Sequence, residues 1–343
     1  IHRCYNPPCI REKLKGLLLF DAKIVENEVP KVKIRDRSRV WNLKCCQKEK
    51  NIWKARSIHA NLLEENMIAR DDRIATSLIT TYAKCGALEE ARIAFEKVLV
   101  HDVVSWSALI AGYAQNGLGN EALECFTHMR KSGIRPNEVT YICILKACGI
   151  VGSLWIGEEI EVEIRNQGLL EKNIGLGTAL VDMYSKCCAM ERAQNVFEKL
   201  PMWDIVTWNA LIAGYARNGF DDATMRCFRQ METAGIRPDA VTYTCILKAC
   251  GISRSLEIGE YIDAEARKQG LLQKDNMLGT ALMNMYSMCG ALEKAREVFE
   301  QLPVWDIVSW SAMIAGYAQN GLNQEALNCI SEKCEMLEFV QME

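Results

Sequence analysis

The side chains best equipped for chemistry are sixteen cysteines and four histidines. Thiols and imidazoles at short spacing build zinc sites or nucleophile–base pairs. Neither spacing is present. No Cys-x-x-Cys occurs, none of His2, His59, His101 and His128 sits in a His-x-Glu string, and the spacing that comes nearest to Cys-x-x-Cys is Cys143-x4-Cys148 and its copies. Eleven cysteines instead recur in phase, as Cys85/Cys187/Cys289, Cys125/Cys227/Cys329, Cys143/Cys245 and Cys46/Cys148/Cys250. Cysteines locked to a repeat act as small buried apolar residues, which places the chain in a reducing compartment. No metal, cofactor or catalytic residue is expected, and the chain reads as a binding protein rather than an enzyme.

The elements behind that phase are repeats. The string Trp208-Asn209-Ala210-Leu211-Ile212-Ala213-Gly214-Tyr215 has copies beginning at Trp106 and Trp310, so the anchors stand 102 residues apart both times. Within this period, stretches of 35, 36 and 31 residues align without gaps: 103–137, 205–239 and 307 onward; 36–71, 138–173 and 240–275; 72–102, 174–204 and 276–306. In 205–239, Trp208, Leu211, Ile212 and Tyr215 recur at i, i+3, i+4 and i+7, one face of a helix. Asn218-Gly219 stops that helix. A second helix from about Asp221 places Ala223, Cys227, Phe228 and Met231 inward, and Gly235-Ile236-Arg237-Pro238-Asp239 turns the chain back. Each unit is thus an antiparallel helix pair, with Ala213 and Gly214 admitting close backbone approach, and the stacked pairs are expected to form an all-α, right-handed α-solenoid with first helices lining its concave face. Trp106, Trp208 and Trp310 fall on the packing face; Trp203 and Trp305 are expected to be exposed. Asp102, Asp204, Asp239 and Asp306 close their units where an Asp caps the next helix.

Composition agrees with this class. Hydrophobic residues make up 49% and charged residues 25%, with only seven prolines. No apolar run is long enough to span a bilayer. The start at Ile1 rather than Met is expected of a processed or incomplete chain. Net charge is −3, yet residues 1–60 hold fifteen Lys and Arg against six Asp and Glu, leaving the array acidic. Residues 1–35 show no repeat phase and read as a basic extension, with one short helix over Arg11 to Phe20; 36–330 is the array; 331–343 loses the Gly-Ile-Arg-Pro-Asp ending and is either a cap or a truncation.

The unit lengths, the Gly-Ile-Arg-Pro-Asp ending, Met183-Tyr184-Ser185-Lys186-Cys187 and Asp204-Ile205-Val206-Thr207-Trp208-Asn209 resemble pentatricopeptide repeat proteins. The resemblance covers about residues 36–330. The three alternating lengths look like the PLS subclass, with P units of 35 residues, L units of 36 and S units of 31. It implies an organellar protein, in a mitochondrion or plastid, that binds single-stranded RNA and serves processing, stability, editing or translation. The zinc deaminase found at the end of some members lacks both of its signatures here.

The resemblance further implies that each unit reads one base with its fifth and last residues while an apolar second residue packs on the base. The pairs are Thr76/Asp102, Ser107/Asn137, Thr178/Asp204, Asn209/Asp239 and Thr280/Asp306. Thr with Asp favours G, Ser with Asn favours A, and Asn with Asp favours U, so the implied target is G-A-n-G-U-n-G. The unread places belong to L units, whose pairs are Ile142/Asn173 and Thr244/Asp275. Val104, Val139, Val206, Val241 and Val308 hold the second position, from which Arg73, Gly175 and Met277 depart. Lys84, Lys186 and Arg217 are the expected phosphate contacts. The acidic array supports a rival expectation, a scaffold within an organellar assembly such as a ribosome, with other proteins as partners.

Overall fold

The computed structural model describes residues 36–64 and 71–331, and every described element is a helix. The basic extension, its short helix and most of the expected C-terminal end lie outside the described residues. The chain divides into two compact units, one up to Pro136 and one from Asn137.

The first unit holds α1 (Asp36–Glu49), α2 (Ile52–Glu64), α3 (Asp72–Lys84), α4 (Leu88–Glu96), α5 (Val103–Gln115) and α6 (Gly119–Lys131). The second holds α7 (Glu138–Val151), α8 (Leu154–Asn166), α9 (Ile174–Lys186), α10 (Met190–Glu198), α11 (Ile205–Arg217), α12 (Asp221–Thr233), α13 (Ala240–Ser253), α14 (Leu256–Lys268), α15 (Asn276–Met288), α16 (Leu292–Glu300) and α17 (Ile307–Gln319), followed by a helical stretch over 323–331. These are the helix pairs expected from the periodicity. Within each unit a first helix packs on the next first helix, and a second helix packs on its own partner and on the first helix that follows. In each unit, odd-numbered helices therefore form one layer and even-numbered helices the other, as in an α-solenoid.

Local chemistry sets the helix ends. Asp71, Asp102, Asn137, Asn173, Asp204, Asp239, Asp275 and Asp306 each cap a first helix with a side-chain oxygen. Gly219 follows α11 at φ 73°, where only a residue without Cβ is unstrained. Gly214 fits against α9, since a Cβ there would lie 2.6 Å from Ser185 Cβ.

The core forms between the two layers, from Leu211, Ile212, Cys227, Phe228 and Met231 and their counterparts. On α12, Thr224 rather than Ala223 is fully enclosed. Cys46, Cys148, Cys227, Cys250 and Cys329 are buried as expected, whereas Cys85, Cys125, Cys143, Cys187, Cys245 and Cys289 are partly accessible, and all are free thiols. Burial pushes the Cys148 and Cys250 thiols up to about 12, so both stay neutral. Trp208 is packed edge-to-face on Phe197 at 4.7 Å, and Trp106 and Trp310 repeat this on Phe95 and Phe299. Trp203 and Trp305 are exposed on one side, but each is stacked on the same Phe and donates its indole N–H to that residue's carbonyl, at 2.8 and 2.9 Å. His101 takes the equivalent place, stacked 4.1 Å from Phe95.

Candidate functional site

The second, fifth and ninth residues of a unit are separated by three and four positions, so they share one stripe of the first helix, exposed at the second position and buried at Ser107 and Asn209. Val104, Val139, Val206, Val241 and Val308 lie at the outer end of that stripe, all between 50% and 57% exposed. Partly exposed valines at a constant place leave an apolar flat that nothing among the described residues covers. Met277 extends farther into solvent, and Gly175 offers no side chain.

The residues that end the units are helix caps. Asp102 Oδ1 accepts from the Ser105 N–H at 2.8 Å, and Asp204 Oδ1 accepts from the Thr207 N–H and hydroxyl at 2.8 and 2.7 Å. Asp239 Oδ1 accepts from the Thr242 N–H at 2.9 Å, with the Thr242 hydroxyl 3.0 Å away. In all three the cap uses one oxygen, and among the described residues Oδ2 receives no hydrogen bond. Asp306 differs, since its Oδ1 caps Val308 and Ser309 while its Oδ2 accepts from Asn276 Nδ2 at 2.9 Å. The Ser309 N–H, then Asn276, hold its carboxyl below the usual range.

Several fifth residues are brought to these carboxylates. Asn209 donates through Nδ2 to Asp239 Oδ1 at 3.1 Å, and its Oδ1 accepts from the Thr242 hydroxyl at 2.6 Å. Thr178 meets the Thr207 hydroxyl at 2.9 Å, and that hydroxyl in turn donates to Asp204. Thr242 and Thr207 are thus joints between the fifth residue of one unit and the last. Their i+3 spacing from Asp239 and Asp204 is the capping-box spacing, which is the signal that marks them in the sequence. Thr280 folds back on its own helix, donating to the Asn276 carbonyl at 3.0 Å, and Ser107 donates to the Val103 carbonyl at 2.6 Å. Ser107 belongs to the first compact unit and Asn137 to the second, where Asn137 Oδ1 caps Thr140 at 2.9 Å. Among the L pairs, Asn173 caps Gly175 and donates to Glu138, and Asp275 caps Met277.

In the first unit, Thr76 and Asp102 open onto a groove of about 400 Å³. Val40 and Lys44 of α1, Arg73 and Thr80 of α3 and Val104 of α5 complete its wall. It combines apolar surface, a guanidinium, an ammonium and the carboxylates of Asp72 and Asp102.

The expected phosphate contacts are not equivalent. Lys84 is exposed, 3.2 Å from the Gln47 amide oxygen, and Arg217 is exposed, 3.4 Å from the Ser185 hydroxyl. Lys186 is paired with Asp182 at 2.5 Å, which cancels much of its field. Among the described residues no three His, Cys, Asp or Glu side chains stand together as a metal site, and no helix is long and apolar enough to cross a membrane.

Known proteins share this arrangement. The family model described as PPR repeat family matches residues 101–149 and 203–251, and that described as PPR repeat matches 74–103, 280–307 and 308–336. The chain is 38% identical over 285 residues to the Arabidopsis thaliana pentatricopeptide repeat-containing protein At4g18520, chloroplastic, covering 83% of this chain and 46% of that protein. To At3g09040, mitochondrial, from the same plant, it is 33% identical over 291 residues, covering 84% and 28%. The chain spans less than half the length of the curated relatives it matches. Among solved structures, the pentatricopeptide repeat protein PPR10 in complex with an 18-nt psaJ RNA element matches with a TM-score of 0.60 at 17% identity, over 94% of this chain and 53% of that one. Helix pairs in phase, capped by Asp or Asn at each first helix from α3 to α17, and matched repeat by repeat over more than half of the chain leave one assignment: the protein belongs to the pentatricopeptide repeat family.

Proposed function

We propose that this chain binds single-stranded RNA in a mitochondrion or plastid, one base per repeat, and acts there in RNA processing, stability, editing or translation without catalysing a reaction. The observation that carries the reading is the Asn209–Asp239 pair. With one amide hydrogen given to Asp239 and the amide oxygen satisfied by Thr242, the pair keeps the second Asn209 N–H and Asp239 Oδ2 unengaged by any described residue, with Asn209 9% exposed. One donor beside one acceptor complements uracil, which presents a carbonyl oxygen beside N3–H.

The remaining pairs are read the same way. Asp102 and Asp204 each keep one oxygen to accept from the Watson–Crick N–H groups of guanine, while the exposed valines cover the base faces. Capping and readout do not compete, because they use different oxygens of one carboxylate. The unit lengths follow the PLS order in this reading, and the target is G-A-n-G-U-n-G. Relatives named chloroplastic and mitochondrial, and a fold shared with an RNA-bound structure, support it.

Equilibrium binding of the chain to an RNA carrying G-A-n-G-U-n-G, against a scrambled RNA of equal composition, tests the proposal. Preference for the first is expected. Equal, weak binding of both rejects base reading.

A further inference from the structure

Two of the three L units have Val40 and Ile142 at the fifth position, which carry no polar atom, and in the third Thr244 donates its hydroxyl to the Ala240 carbonyl of its own helix at 2.7 Å. Four residues farther along the same helices stand Lys44, Lys146 and Lys248, in the 102-residue phase. We propose that these three lysines are phosphate-binding residues, and that L units hold the RNA backbone where P and S units read bases. The inference rests on the RNA-binding reading above.

Three observations carry it. A four-residue step is about 6 Å along a helix, so each lysine emerges one turn from the fifth position and on the same stripe. Lys44 itself lines the groove shared by Thr76 and Asp102 in the first unit. Lys146 and Lys248 are exposed on α7 and α13.

Secondly, these cations are uncommitted. Among the described residues Lys44, Lys146 and Lys248 form no ion pair, whereas Lys54, Lys186, Lys268 and Lys294 each hold a carboxylate. The acidic residue of the same row on the helix after Lys146 is Asp182, and Lys186 already engages it at 2.5 Å. The corresponding residues after Lys44 and Lys248 are Thr80 and Asn284, which are uncharged.

Thirdly, the ends of the two L first helices in the second unit lack the charge found there in some other units, whereas α1 keeps Lys48 at that place. Where Lys84, Lys186 and Arg217 stand, the second-unit L helices carry exposed Ile150 and Ile252. The cation is displaced one turn inward, toward the bases. An ammonium on a flexible stem suits this role, since it meets phosphate as a point charge and imposes no sequence preference.

The test is a fluorescence-anisotropy titration of the full chain with the G-A-n-G-U-n-G and scrambled RNAs, from 50 to 300 mM KCl. K44Q/K146Q/K248Q is compared with K44R/K146R/K248R and with K97Q/K199Q/K274Q, whose lysines are exposed outside the first helices. Loss of three phosphate contacts is expected to flatten the log–log salt slope by about 2. Affinity for both RNAs should fall by one common factor, and the arginine variant should retain the slope. An unchanged slope in the glutamine variant, or an equal change in the K97Q/K199Q/K274Q control, overturns the lysine assignment alone. Failure of the unaltered chain to bind either RNA overturns the RNA-binding reading together with it.

Discussion

Asp204 performs two tasks that substitution separates. Its Oδ1 caps α11 through Thr207, and the same carboxylate is assigned to the fourth base. Asp204→Ala removes both and should lower stability by about 1 kcal/mol, as lost caps do. Asp204→Ser keeps a capping oxygen, so its thermal midpoint should stay near that of the unaltered chain while preference for G at the fourth base disappears. A serine variant that keeps the preference would make Asp204 a cap and nothing more. Capping was legible from an Asp before each apolar run. The joints were not, because Thr207 and Thr242 read as ordinary first-turn residues until packing brings Thr178 and Asn209 against them.

His59 gives a second measurement at this scale. It is enclosed beside Tyr82, with Nδ1 2.9 Å from the phenol oxygen, and burial lowers its pKa to about 4, with Lys97 adding to the shift. A histidine depressed in the folded state leaves the unfolded chain binding the extra proton between pH 4 and 6.5. Its contribution is therefore complete above about pH 6.5 and lost as pH falls toward 4. Urea midpoints across that window should fall with acidification, and less steeply in His59→Gln; equal slopes would contradict the burial argument.

At the scale of helices, the repeat makes its own controls. Gly214 and Gly259 both face a neighbouring helix, but a Cβ at Gly214 meets Ser185 Cβ, one bond from the backbone, whereas at Gly259 it meets the end of Met285. Methionine can turn aside and a Cβ cannot. Gly214→Ala should cost about 1–3 kcal/mol in chemical denaturation and Gly259→Ala clearly less. Left-handed positions supply the opposite sign: Cys188 sits at φ 59° where the sister units have Gly86 and Gly290. Cys188→Gly should raise stability by about 1 kcal/mol, read as a higher thermal midpoint. The helix pairs, their stops and the buried tryptophans all follow from i, i+3, i+4 spacing. The anchoring of Trp203 and Trp305 does not, because each Trp lies in a turn without helical spacing and reaches back six residues to a carbonyl at the end of α10 or α16.

At the scale of the molecule, charge and readout pull in different directions. The array is acidic while the first sixty residues are basic, so attraction to RNA must be local to the first-helix face. Arg217 and the lysines of the L helices are the groups proposed to provide that local field, and the 102-residue period places the lysines. What the period alone obscured was their purpose: a lysine four residues past a non-coding position stands apart only once Asp182 is found to be occupied by Lys186. Repeats so nearly identical make the fold easy to read and the target hard, since selectivity rests on a few variable side chains.

Of these, Asn209 is the most exacting, because a single change alters the hydrogen-bonding pattern and leaves the Asp239 cap in place. Competition binding should be run with two RNAs that differ only in U or G at the fifth base, for the unaltered chain and for Asn209→Thr. The unaltered chain is expected to favour U and the variant G, with the thermal midpoint of the two proteins similar. An unchanged preference in the variant, or none in either protein, would mean that these side chains cap helices and read no base.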